Sequence, residues 1–287
     1  MTPAGQAVLA LLEGVVSGLV LALTALGLSL VFGVMRVVNV AHGDFFMLGA
    51  VFAWYVTTAT GSFPLALLAA PLAAAAVAVA ADRLVLRPIG YAPEPTIVAT
   101  IGLLYVLQQA VLSVYGPYAR PVPEPVAFRV DLPWFGYSGY KLVVAAAAAA
   151  LLGAAWLLIT RTRLGLYMRA TQQDREIAQA FGVPVQRVYA AAFGLGAALA
   201  ALAGVLIVPI RQAHYLMGLD ALLLSFMAVI IGGIGSLGGT LAAALFIGLV
   251  DGALSVFFSP TLARIAASLV VVAVLVARSG GLREVRG

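Results

Sequence analysis

Few side chains in this 287-residue chain could do chemistry, and their spacing excludes most of it. The two histidines, His42 and His214, lie far apart, without H-E-x-x-H spacing and without a third ligand nearby. Cysteine is absent, which rules out disulfides and thiolate metal sites. A phosphate-cradling P-loop needs a lysine behind its glycine-rich turn. The one lysine, Lys141, follows Tyr140 and stands at the end of an apolar run. No G-x-S-x-G nucleophile elbow occurs. The chain is therefore expected to hold no metal or cofactor and to catalyse no reaction by itself.

The polar residues that remain gather in a few places. Residues 38–44, V-N-V-A-H-G-D, interrupt two apolar runs and place Asn39, His42, Gly43 and Asp44 together. They read either as a cytoplasmic turn with Asp44 capping the next helix, or as a helix broken at membrane depth, where transporters build pathways. Residues 161–187 form the longest polar stretch. Within it Leu166, Ala170, Ile177, Ala180 and Phe181 recur at near-helical spacing, with Arg169, Gln173, Asp174 and Arg175 between them. Gly182 and Pro184 end the pattern. One short amphipathic helix is expected there, either lying on the membrane surface or fitting a groove on a partner. A third cluster, Gly232, Gly233, Gly235, Gly238 and Gly239, permits unusual backbone and close packing.

Three carboxylates carry weight because charge inside a membrane costs roughly 2.5–3.5 kcal/mol. Glu13 and Asp251 fall within apolar runs. Asp251 reads as part of a polar pathway, or as an outer-edge carboxylate paired with Arg264 or Arg211. Asp220 reads as a helix N-cap.

The elements that must position these residues follow from composition. Hydrophobic residues make up 63% of the chain and charged ones 9%, against about 25% charged in a soluble domain; the mean hydropathy is +1.10. Apolar runs long enough to cross a bilayer are expected at 8–34, 42–59, 64–81, 96–115, 141–160, 188–210, 219–234, 240–257 and 261–278. The segment 219–234 is short and either crosses or enters and returns. The fold class is all-α: one polytopic transmembrane bundle over residues 1–287, with eight or nine spans. A likeness between 28–50 and the glycine-rich region suggests two related halves. Gly196, Ala200 and Gly204 fall four apart on one helix face, a spacing that suits packing within the chain or between subunits.

Orientation follows from the basic residues. With 161–187 inside, Arg36, Arg83, Arg87, Arg161, Arg163, Arg169, Arg175, Arg187, Arg278, Arg283 and Arg286 lie on the cytoplasmic side. Arg120, Arg129, Lys141, Arg211 and Arg264 lie outside. The N-terminus is then outside and the C-terminus inside. The net charge of +5 reads as topology rather than as nucleic-acid binding. The outer loop 116–140 carries Trp134, Tyr137 and Tyr140, which fit an interfacial aromatic belt. That loop is either an ordered connector or part of a docking face for an external protein.

Several motifs resemble one family in its own order. A-L-G-L-S-L-V-F-G-V-M-R-V-V-N-V-A-H-G-D-F-F-M-L-G-A at 25–50 is similar to the signature of LivH-type branched-chain amino acid permeases. G-L-Y-M-R-A at 165–170 followed by A-x-x-x-G-V at 178–183 resembles the coupling loop of importer permeases of the ATP-binding-cassette class. The runs at 193–206 and 230–252 resemble the helix after that loop and the family's glycine-rich region. The resemblance implies a permease subunit in a bacterial inner membrane, carrying leucine, isoleucine, valine or related small polar substrates. It implies a second permease subunit, two cytosolic ATPases that bind ATP and Mg, and an extracytoplasmic solute-binding protein. It assigns Gly165, Arg169, Ala170, Asp174, Ala178 and Gly182 to the ATPase-coupling loop. Asn39, His42, Gly43, Asp44, Gly232, Gly233 and Asp251 are candidates for the translocation pathway. The alternative is an ion-coupled transporter or channel working without ATPase partners, for which charged pairs buried mid-span are expected.

Overall fold

The computed structural model describes residues 2–258, together with Leu262, Ile265, Ala266 and Leu269. Its helices are α1 (Pro3–Met35), α2 (His42–Thr60), α3 (Phe63–Ala81), α4 (Pro93–Tyr115), α5 (Gly139–Arg161), α6 (Arg163–Gln173), α7 (Arg175–Ala180), α8 (Val185–Arg211), α9 (Met217–Gly232) and α10 (Leu237–Phe257). A π-turn, Asp82–Leu86, extends α3. Local chemistry explains most of the starts. Thr2, Ser62, Thr162, Asp174 and Ser236 each accept a hydrogen bond from a backbone N–H in the first turn of the helix that follows. Proline stands in the first turn of α1, α3 and α4, where its missing N–H costs nothing.

Among the described residues, six helices are long and apolar enough to cross a membrane: α1, α3 with its π-turn, α4, α5, α8 and α10. The chain is a multi-pass membrane protein. α1 and α8 are largely buried and form the centre, while α3, α4, α5 and α10 keep most of their apolar surface outward. α2 and α9 fall outside the six. α9 has only 16 residues, and α2 carries His42, Asp44, Thr57, Thr58 and Thr60. The expected span 261–278, including Arg264, lies outside the described residues except at Leu262, Ile265, Ala266 and Leu269.

Small residues bring the central helices together. A Cβ on Gly27 would lie 2.5 Å from the Gly196 carbonyl oxygen, and one on Gly204 would lie 2.1 Å from that of Phe46. The Gly196–Ala200–Gly204 face thus packs inside the chain, against α1 and α2. Two further details depart from expectation. The outer loop contains an antiparallel hairpin, β1 (Arg129–Asp131) with β2 (Gly136–Ser138), so the chain is not wholly α. Tyr137 and Tyr140 point inward, and the Tyr140 hydroxyl donates to the Leu206 carbonyl at 2.9 Å. Only Trp134 of the expected belt is exposed.

Candidate translocation site and coupling loop

The position of the break after α1 can be measured against α4, whose first residue, Pro93, lines a cavity with Asp174, Arg175 and Glu176 of the 161–187 loop. The Val40 N–H donates to Thr100 Oγ1, and Asp44 Oδ1 accepts from Gln108 Nε2 at 3.1 Å. Thr100 and Gln108 lie seven and fifteen residues into α4, or about 10 and 22 Å along it. Residues 36–41 therefore fold back from the end of α1 alongside α4, and α2 starts beside the middle of that helix. They do not form an exposed turn beyond the helix ends. Asp44 also caps nothing: α2 has no side-chain cap, and its N-cap residue is Ala41.

The backbone freed by the break finds local partners, as it must at membrane depth. Asn39 Oδ1 accepts from the Ala41 N–H, and His42 Nε2 lies 3.0 Å from the Thr24 carbonyl. A carbonyl only accepts, so Nε2 carries the proton and Nδ1 faces inward without a partner among the described residues. Asn39, His42 and Asp44 are all fully buried. Thr24, Thr100 and Gln108 complete this polar layer.

A second break has the same form. α1 ends at Arg36 with φ 54°, and α8 ends at Gln212 with φ 51°. Five residues after Gln212, α9 begins at Met217, and a Cβ on Gly43 would lie 2.2 Å from the Gly218 carbonyl oxygen. The N-termini of α2 and α9 therefore abut. From this meeting point α2 runs outward, its Tyr55 hydroxyl donating to the Val114 carbonyl at 3.2 Å. α9 runs inward to the glycine turn, where a Cβ on Gly235 would lie 3.3 Å from the Gly33 backbone. Gly232 and Gly233 sit at that inner turn, with Gly232 against the Gly239 backbone, apart from the Asn39–Asp44 layer.

Each break is strapped to the loop on its own side. Inside, Arg36 Nη2 donates to the Gln172 carbonyl at 3.1 Å, and Gln172 Nε2 donates to the Gly235 carbonyl at 3.2 Å. Outside, Arg120 and Ala213 exchange backbone hydrogen bonds of 3.0 and 2.9 Å. The Arg120 guanidinium also lies over the rings of Trp54 and Tyr115, at 4.5 and 4.7 Å. In the same outer segment, burial holds the His214 imidazole below its ordinary pKa, against the opposing pull of Asp220. Asp220 stands in the first turn of α9 rather than at its cap, where its charge suits the helix dipole.

The 161–187 loop holds two helices, not one. Asp174 ends α6 and its Oδ1 accepts from the Ile177 N–H at 2.9 Å, starting α7. Gly182 turns the chain away with φ +81°. Gly165 packs against the Ile159 backbone, Arg169 donates to the Ile159 carbonyl, and Ala178 is buried. These expected coupling residues shape the loop. Its exposed apolar surface comes instead from Leu166, Tyr167, Ile177 and Phe181, the last 85% exposed. Arg175, Glu176 and Gln179 flank Ile177 in the α7 sequence, so apolar and charged side chains alternate along this short helix.

Asp251 lines an outer cleft of about 60 Å³ with Ser17, Thr24, Phe46 and Arg211. The cleft reaches down to Thr24, the residue whose carbonyl faces His42, and it has room for water but not for an amino acid. Asp251 forms no ion pair among the described residues. Glu13 does pair, with Lys141 Nζ at 2.6 Å, but at the outer end of α5 rather than mid-span.

The sequence model described as "Branched-chain amino acid transport system / permease component" matches residues 10–277. The chain belongs to this family. Relatives of the branched-chain amino acid permeases cover it nearly end to end. It is 26% identical to the high-affinity branched-chain amino acid transport system permease protein LivH of Escherichia coli K12, over 94% of this chain and 93% of that protein. It is 27% identical to BraD of Pseudomonas aeruginosa, described in the same terms, over 84% of both chains. A probable LivH of Methanocaldococcus jannaschii is 26% identical, over 87% of this chain and 82% of that protein. No solved structure shows a significant match. Sequence reasoning missed Gln108, Gln172 and Gly218, whose only signals were a lone amide pair within an apolar run, a polar position in a polar loop and one more glycine.

Proposed function

We propose that this permease is one membrane subunit of an ATP-driven importer for branched-chain amino acids in a bacterial inner membrane. It works by alternating access between the two abutting breaks. The substrate passes along the outer cleft to the layer around Asn39, His42, Gly43 and Asp44. A second permease subunit completes the path, a solute-binding protein meets the outer loop, and two ATPases binding ATP and Mg meet the 161–187 loop. α2 and α9 complete eight or nine crossings, and α1–α2 and α8–α9 are the cores of two related halves.

One observation carries this reading. An exposed apolar patch at Ile177 and Phe181 belongs to a loop whose Gln172 touches both Arg36, at the first break, and Gly235, at the turn after α9. A push on that loop reaches both broken helices through hydrogen bonds already in place. Closing the 60 Å³ cleft on one side while opening the other is the expected consequence.

The test is co-purification of the full chain with its ATPases. Substituting Ile177→Ser with Phe181→Ser removes the exposed apolar surface without touching Gly165, Arg169 or Asp174. ATPase recovery is expected to fall at least tenfold with an unchanged melting temperature. Unchanged recovery would sink the docking assignment.

A second reading has one observation in its favour. The Asp44 carboxyl lies mid-depth with Oδ2 unpartnered among the described residues, and intramembrane carboxyls often bind coupling ions. Uptake driven by a proton or sodium gradient without ATP would select that reading.

A further inference from the structure

Away from the pathway, α3 and α8 enclose a cavity of about 660 Å³ at their cytoplasmic ends, lined by Val79, Asp82, Arg83, Arg87, Gln186, Arg187, Ala190 and Ala191. Three guanidinium groups from two helices line it, and the one acidic side chain among them, Asp82, is buried beside Arg83 and Arg87. The site is therefore net cationic. Arg83, Arg87 and Arg187 are themselves exposed.

The wall changes character over one helical turn. Val79 lies one turn deeper in the membrane than Arg83, and Ala190 and Ala191 lie one turn deeper than Arg187. The cavity is thus cationic at its cytoplasmic end and apolar toward the bilayer. The π-turn Asp82–Leu86, closed by the Arg87 N–H to Asp82 carbonyl bond at 2.8 Å, lies where the two characters meet. Such turns are frequent at functional sites. Arg87 Nη2 donates to Gln186 Oε1 and so ties the two helices across the cavity.

A loop arginine that only sets topology needs none of this convergence. From it we infer that the cleft between α3 and α8 binds an anionic glycerophospholipid from the inner leaflet. The arginines hold the headgroup phosphate through charge-assisted hydrogen bonds, and an acyl chain lies along Val79, Ala190 and Ala191. A free phosphate would use the arginines but gain nothing from the apolar wall. This site is independent of which substrate the permease carries.

Native mass spectrometry of the full chain in detergent tests the inference. The chain is titrated with phosphatidylglycerol, with phosphatidylcholine of the same acyl chains, and with inorganic phosphate. Phosphatidylglycerol is expected to bind at least tenfold tighter than either of the others. Each arginine contributes about fivefold near a charged membrane surface. The triple variant R83Q/R87Q/R187Q should therefore lose on the order of 100-fold. The double variant R161Q/R163Q, which removes two cytoplasmic arginines elsewhere, should lose nothing. Should the triple variant not fold, Arg187→Gln alone reads the same site, with a loss of about fivefold expected. Equal binding of phosphatidylcholine overturns the inference. So does equal binding of inorganic phosphate, retention by the arginine variants, or an equal loss in R161Q/R163Q.

Discussion

Gly43 and Gly218 meet backbone to backbone: a Cβ on Gly43 would lie 2.2 Å from the Gly218 carbonyl oxygen, and a Cβ on Gly218 would lie 2.3 Å from that of Gly43. Neither neighbour is a side chain that could rotate away. The contact fixes where α2 and α9 start, and so where the two breaks face each other. Gly43→Ala is expected to destabilise the chain by about 1–3 kcal/mol, the usual cost of overpacking, and to abolish uptake. A thermal melt and a transport assay check both. A variant with wild-type stability and uptake would show that the two helix ends can part freely.

Gln172 bridges the 161–187 loop to Arg36 and Gly235 at the ends of the membrane helices. Gln172→Ala removes one hydrogen bond, worth about 1 kcal/mol, and leaves the α7 surface intact. ATPase binding and hydrolysis are expected to continue while uptake falls about tenfold or more. A proportional fall in hydrolysis and uptake would mean that the loop only anchors the ATPases.

Six membrane spans were legible in the sequence because bilayer thickness sets the length of an apolar run, whereas 42–59 and 219–234 match α2 and α9, which fall outside those six. Each expected span through residue 257 matches a helix to within five residues at either end. The break at 38–44 was visible from its polar residues, but its depth was not. Depth is set by Thr100 and Gln108, more than fifty residues away, and no local pattern announces those contacts. The α9 start was hidden for the same reason: Gly218 matters because of Gly43. The division of the 161–187 loop was missed because Asp174 suits a polar helix face as well as a cap. The resemblance assigned Gly165, Arg169 and Asp174 to coupling; the structure gives them contacts within the loop and leaves Ile177 and Phe181 exposed.

His214 makes the outer segment sensitive to acid. Burial lowers its pKa below the ordinary histidine value of about 6.5, so the folded state binds fewer protons than the unfolded one. Its contribution to stability is present above the unfolded pKa and is lost as pH falls through that value toward the folded one. Melting temperature should therefore drop more steeply below about pH 6.5 in the wild type than in His214→Gln. Parallel pH profiles would remove His214 from the account.

The central claim is that this permease borrows its energy from ATPases acting through the 161–187 loop. Leucine uptake into proteoliposomes containing the chain, its partner permease and both ATPases, with binding protein on the outer face, measures that claim directly. Uptake is expected to require ATP and binding protein, to survive collapse of proton and sodium gradients, and to vanish in the Ile177→Ser, Phe181→Ser variant. Uptake by the permease without ATPases, driven by an ion gradient, would contradict it.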